Sequence, residues 1–164
     1  MSEVLNLSKI EAGTADINIK VVPLERVFKC CYEQMNDLAK RQQITFKIEP
    51  LNQAVNLRCD ESRLLEVMLN LITNAIKFNR PGGQVTLSYV PIAAEKIRIN
   101  VVDNGLGIDH QDADVIFEPF ANLDNEYCDE QGVGVGLPVS VRLMRLMGGD
   151  LGFSSKLGCG SNFW

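Results

Sequence analysis

Residues 60–79 form a helical pattern whose polar side chains fall on one line while every other direction is apolar. At 100° per residue, Arg63, Glu66, Asn70, Thr73, Asn74 and Lys77 lie within a band of roughly 100°. The rest of the circumference carries Leu64, Leu65, Val67, Met68, Leu69, Leu71, Ile72, Ala75, Ile76 and Phe78. A rod this oily must be largely buried, and a buried amide without a partner costs about 1–3 kcal/mol. Two readings of the stripe are open: an ordinary water-facing edge, or a polar cleft that holds a ligand. Water-facing edges favour Glu, Lys and Gln, whereas two Asn and a Thr are poorer helix formers. The stripe therefore reads as a ligand cleft.

Around this helix, 164 residues at 46% hydrophobic composition support one domain that buries about two thirds of its unfolded surface. The net charge of −5 excludes the basic footprint of a nucleic-acid binder. Cys30, Cys31, Cys59, Cys128 and Cys159 form no CxxC pair and are odd in number, which speaks against a disulfide framework or a zinc site and for a reducing, cytoplasmic setting. No apolar run approaches the ~20 residues of a membrane span, and residues 1–15 lack a signal-peptide core, so no membrane contact is expected of this segment.

In chain order, residues 1–12 read as the end of a helix capped at Gly13, followed by a strand through Ile17, Ile19 and Val21. Pro23 opens a helix to about Gln42, with Leu24, Val27, Phe28, Cys31, Met35 and Leu38 inward. Short strands follow at 44–48 and 54–57, and Asp60 is a natural N-cap for the central helix. Strands are expected at 85–90 and 96–102, joined by a loop containing Pro91. A polar, aperiodic stretch between Phe120 and Gly132 is longer than an ordinary connection and reads as a mobile loop. A last helix over 137–147 and strands at 151–154 and 161–164 complete the pattern. Without strict βαβ repetition, the class is α+β, one mixed sheet with helices on one face.

Two glycine motifs flank the mobile loop. After the strand at 96–102 comes Asp103-Asn104-Gly105-Leu106-Gly107-Ile108. A carboxylate at a strand end can accept a hydrogen bond from an exocyclic amine such as adenine N6, and the glycines let backbone approach a flat ring. The same residues also suit a plain Asp-capped turn. Gly132-Val133-Gly134-Val135-Gly136-Leu137 precedes the last helix, where exposed N–H groups and the helix dipole suit phosphate oxygens. It neither follows a strand in a dinucleotide-binding crossover nor carries the Lys-Ser/Thr of a P-loop.

In this order the motifs resemble the ATP-binding catalytic domain of sensor histidine kinases, a branch of the GHKL ATPase superfamily. Asp60-x-x-Arg63-Leu64 through Asn70-Leu71-Ile72-Thr73-Asn74-Ala75-Ile76-Lys77-Phe78 resembles the N box, residues 103–108 the G1 box, Phe117-Glu-Pro-Phe120 the F box and residues 132–137 the G2 box. The resemblance implies a two-layer α/β sandwich with a mostly antiparallel sheet and about three helices on one face. It implies residues 1–13 as the end of a second dimerisation helix with its junction, and 14–164 as the catalytic domain with an ATP lid near 117–136. Asn74 would ligate Mg²⁺, Asn70 and Lys77 would hold the phosphates of ATP or ADP, and Asp103 would read adenine. Gly105, Gly107, Ile108, Phe120, Gly132, Gly134, Gly136 and Leu137 would complete the nucleotide site. The implied partners are the protein's own dimerisation helices, in a full-length homodimer of which this segment alone is a monomer, and a response-regulator receiver.

Superfamily hydrolases place a water-activating Glu four residues before the metal-binding Asn. Here that place is Asn70, and an amide cannot act as a general base. Residues 99–141 contain no Lys or Arg, and Val133 stands where a hydroxyl residue is common. A degenerate, docking pseudokinase therefore remains an alternative to phosphotransfer. The single histidine, His110, lies in an acidic polar stretch and reads as a surface residue.

Overall fold

The computed structural model describes residues 16–93, 95–113, 115–118 and 135–164. In chain order it builds β1 (Lys20–Pro23), α1 (Leu24–Arg41), β2 (Thr45–Ile48), β3 (Asn56–Cys59), α2 (Glu61–Lys77), β4 (Gln84–Ala93), β5 (Lys96–Asp103), α3 (Gly136–Leu146), β6 (Phe153–Lys156) and β7 (Gly160–Phe163).

Among the described residues the main sheet has five strands, in the order β2-β4-β5-β7-β6. Only β2–β4 is parallel; β4–β5, β5–β7 and β6–β7 are antiparallel. The strands β1 and β3 pair separately as an antiparallel ribbon. Alternation sets the inner face: Val85, Leu87 and Val101 are fully buried, whereas Val90, Ile92 and Val102 on the opposite parity are exposed. Leu24, Phe28, Ile72 and Leu143, all fully buried, bring the three helices into the same core. The sandwich expected from the sequence, with three helices over a mixed and mostly antiparallel sheet, is the one observed.

Several local expectations differ. The strands expected through 17–21, at 54–57 and at 151–154 form two to three residues later, at Lys20–Pro23, Asn56–Cys59 and Phe153–Lys156. Pro23 does not open α1 from inside; it ends β1 opposite Asn56 and serves as the N-cap residue, with φ −63° and ψ 129°. The strand β4 does not stop at Val90 but runs through Pro91 to Ala93, with an irregularity in its pairing to β5. β2 accompanies β4 only as far as Leu87, so the amide that Pro91 lacks has no neighbouring strand to serve.

The central helix matches its sequence reading closely. Asp60 caps it: its Oδ1 accepts from the N–H groups of Ser62 at 3.0 Å and Arg63 at 3.2 Å, and its Oδ2 from that of Asn18 at 2.9 Å. Leu64, Val67, Met68, Leu71, Ile72, Ala75 and Ile76 are buried, and the stripe residues Asn70, Thr73, Asn74 and Lys77 are half-buried. α2 therefore sits in the middle of the helical layer with its polar edge neither in the core nor in open water.

Candidate nucleotide site

The edge of α2 is organised from both neighbouring helices. Toward α3, the Asn70 amide Nδ2 donates to Ser140 Oγ at 3.0 Å, and Ser140 is itself buried. A Cβ at Gly136 would overlap Asn70 Oδ1, so glycine at the first residue of α3 is what lets that helix end approach the asparagine. Toward α1, the Thr73 hydroxyl lies 3.6 Å from Met35 Sδ. Arg63 and Glu66 pair with each other at 2.9 Å. The sequence-derived ligand residues of the stripe are Asn70, Asn74 and Lys77, the last with its Nζ 5.4 Å from the centroid of the Phe78 ring.

The Asp103 turn docks on the C-terminal end of the same helix. Leu106 N–H donates to the Phe78 carbonyl at 2.9 Å, using an acceptor that the helix end leaves unpaired. Asp103 Oδ1 accepts from Gly105 N–H at 2.8 Å and Ser161 N–H at 3.3 Å; among the described residues its Oδ2 takes no partner. Burial raises the Asp103 carboxyl above the ordinary carboxylate range, against the pull of those two N–H donors. Gly107 adopts a φ of +70°, and a Cβ there would overlap the Lys156 carbonyl, so the turn is pressed against the β6–β7 hairpin. Ile108 N–H is held by Ser155 Oγ at 2.8 Å.

The N-terminus of α3 has no side-chain cap and no acid in its first turn, and it begins with Gly136 and the half-buried Leu137. The sequence-derived site residues Asn70, Asn74, Lys77, Asp103, Gly105, Gly107, Ile108, Gly136 and Leu137 thus lie on α2, on the turn docked at its end, and on the helix that packs beside it. Phe120, Gly132, Gly134 and most of the expected lid lie outside the described residues, as do the junction at 1–13 and Cys128. His110 is exposed, as its surroundings in sequence imply. Cys30, Cys31, Cys59 and Cys159 are all free thiols.

Sequence reasoning missed three supporting residues. Ser140 is the hydroxyl on an otherwise apolar buried face of α3, a signal that could have been read. Ser155 and Arg80 make their bonds across long sequence separations and leave no periodic trace.

A helix edge bearing two amides and an ammonium, with a partly desolvated carboxylate at one end and a helix N-terminus beside it, is the arrangement expected of a nucleotide-binding α/β sandwich. Residues 59–164 match the family described as histidine kinase-, DNA gyrase B- and HSP90-like ATPase, and the chain belongs to that family. It is similar to the sensor histidine kinase GacS of Pseudomonas protegens, 32% identical over 100% of this chain and 18% of that protein. It is also 29% identical to the adaptive-response sensory kinase SasA of Synechococcus elongatus, over 99% of this chain and 42% of SasA. The chain therefore spans less than half the length of these relatives.

Among solved structures, full-length ShkA in complex with AMPPNP superposes with a TM-score of 0.85 at 30% identity, covering 99% of this chain and 33% of ShkA. The catalytic domain of histidine kinase ThkA superposes with a TM-score of 0.76 at 22% identity, over 89% of this chain and 92% of that one, and shares the fold. The expected fold and the family resemblance both hold: this is the ATP-binding catalytic domain type of sensor histidine kinases. Among the described residues no helix is long and apolar enough to cross a membrane.

Proposed function

We propose that the chain binds ATP with Mg²⁺ and transfers the γ-phosphoryl group to a histidine on a separate dimerisation helix, for relay to a response-regulator aspartate. One observation carries this reading: Asn70, Asn74 and Lys77 share one half-buried edge of α2, with the Asp103 turn docked at its end.

In this reading Asp103 Oδ2 accepts the adenine amino group, while Oδ1 stays tied to Gly105 and Ser161. Lys77 and Asn70 hold phosphate oxygens, and the α3 N-terminus at Gly136 and Leu137 supplies further N–H donors. Asn74 offers the hard amide oxygen that Mg²⁺ favours. The described residues hold no cluster of three His, Cys, Asp or Glu, so the remaining ligands would be phosphate oxygens and water. Bound there, the ion would neutralise phosphate charge during transfer.

The lid at 117–136 with Phe120, Gly132 and Gly134, the junction at 1–13, the catalytic domain at 14–164, the homodimeric whole protein and a cytoplasmic setting all belong to this proposal. The single histidine, His110, follows the Asp103 turn and does not lie on a dimerisation helix, so in this reading the acceptor is on a separate helix. A pseudokinase reading is favoured by one feature, the absence of Lys and Arg from residues 99 to 141. Labelled ATP separates the two when the chain is mixed with the dimerisation helices of its own protein. Phosphotransfer predicts label that is lost in acid and retained in base, whereas no label on any histidine contradicts it. Rapid turnover of ATP by the chain alone would instead favour a hydrolase.

A further inference from the structure

Arg80 leaves the end of α2 and reaches two other segments. Its Nη2 donates to the Gly105 carbonyl at 2.9 Å and to the Gly158 carbonyl at 2.8 Å. Gly105 is therefore held by opposite charges, its N–H by the Asp103 carboxylate and its C=O by a guanidinium. Hydrogen bonds with one charged partner are roughly twice as strong as neutral ones.

The base of the arginine is also fixed. Its own N–H donates to Asn79 Oδ1 at 2.9 Å, and Asn79 Nδ2 donates to the Gln84 carbonyl at 3.2 Å. On the far side, Gly158 N–H donates to the Leu106 carbonyl at 2.7 Å, so the β6–β7 turn grips the same segment from behind. Arg80 thus locks together the exit of α2, the turn after β5 and the closing hairpin.

We propose that Arg80 is a positioning residue that fixes the Asp103–Gly105 turn and thereby sets the preference for a 6-amino purine over a 6-oxo purine. Arg80 touches no base; it acts through the angle at which the turn presents Asp103. The proposal rests on the reading of Asp103 as the adenine acceptor.

The test compares ATP with inosine 5′-triphosphate by calorimetric titration in Mg²⁺, for the unmodified chain, Arg80→Met and Asp103→Asn. Because both nucleotides carry the same triphosphate, their affinity ratio cancels any general effect of losing a positive charge. Arg80→Met is expected to weaken ATP by about tenfold while inosine triphosphate changes little, so the ratio collapses. A thermal melt verifies that the variant is folded. Should Arg80→Met melt below the working temperature, Arg80→Gln, which keeps one amide donor, is expected to give an intermediate ratio. A ratio unchanged in the folded arginine variant but collapsed in Asp103→Asn would overturn the positioning role alone. A ratio unchanged in Asp103→Asn would overturn the adenine reading and the proposal with it.

Discussion

Asp103 and Asp60 are both partly desolvated carboxylates, and their surroundings push them in opposite directions. At Asp60, burial alone would raise the pKa, but the Ser62 hydroxyl and the N–H groups of Asn18, Arg63 and Ser62 more than offset it and hold the group at about 2. A depressed folded-state value contributes stability above the unfolded pKa and loses it as pH falls. Asp60→Ala is therefore expected to cost about 1–2 kcal/mol at pH 7, with the gap to the unmodified chain closing as pH drops from about 4 to about 2 in denaturant melts. At Asp103 the balance runs the other way, and burial raises the value. A raised acid costs stability at neutral pH and nothing below the unfolded carboxylate range. Asp103→Asn keeps an Oδ1 for Gly105 and Ser161, so it should melt higher than the unmodified chain at pH 7, show no such gain near pH 4, and bind ATP at least about tenfold more weakly. A variant that is less stable at pH 7, or that binds ATP normally, would contradict this. A residue that lowers stability where it stands is the expected mark of a site kept for binding.

The helices show what a sequence reveals by itself and what it withholds. The N-cap of α2, its buried rows and its polar edge are legible because a helix has a fixed 3.6-residue period and a cap needs only neighbours in sequence. The role of Gly136 is not legible, since it depends on α3 lying against Asn70, whose Ser140 bond spans a separation of 70 residues. The end of β4 is not legible for a similar reason: Pro91 is a strand breaker locally, and only the short reach of β2 makes it harmless. The α2–α3 contact yields a direct test. Gly136→Ala improves helix propensity in a first turn, where that gain is small, but its methyl group overlaps Asn70 Oδ1. The substitution is expected to destabilise the chain by about 1–3 kcal/mol and to weaken nucleotide binding, read by chemical denaturation and titration. An alanine variant with equal stability and affinity would show that the Asn70 amide yields to the methyl group and is not held in place by Ser140.

At the scale of the whole molecule, a two-layer sandwich places its polar helix edge beside a carboxylate-bearing turn because β5 ends where α2 ends, and the Leu106–Phe78 hydrogen bond joins the two. The class of fold and the residues of the candidate site are read from patterns along the chain, while the hydrogen bonds of Arg80, Ser140 and Ser155 around them join segments far apart in sequence. Central to the proposed function is the assignment of Asn74, on that edge, as the residue that would tie the nucleotide to a divalent ion. Calorimetric titration of ATP into the unmodified chain and into Asn74→Ala, each with Mg²⁺ and again with a chelator, addresses this directly. The account predicts that chelation weakens ATP by at least about tenfold in the unmodified chain, and that Asn74→Ala binds weakly whether or not Mg²⁺ is present. Equal affinity with and without Mg²⁺ in the unmodified chain, or full Mg²⁺ dependence retained in Asn74→Ala, would contradict it.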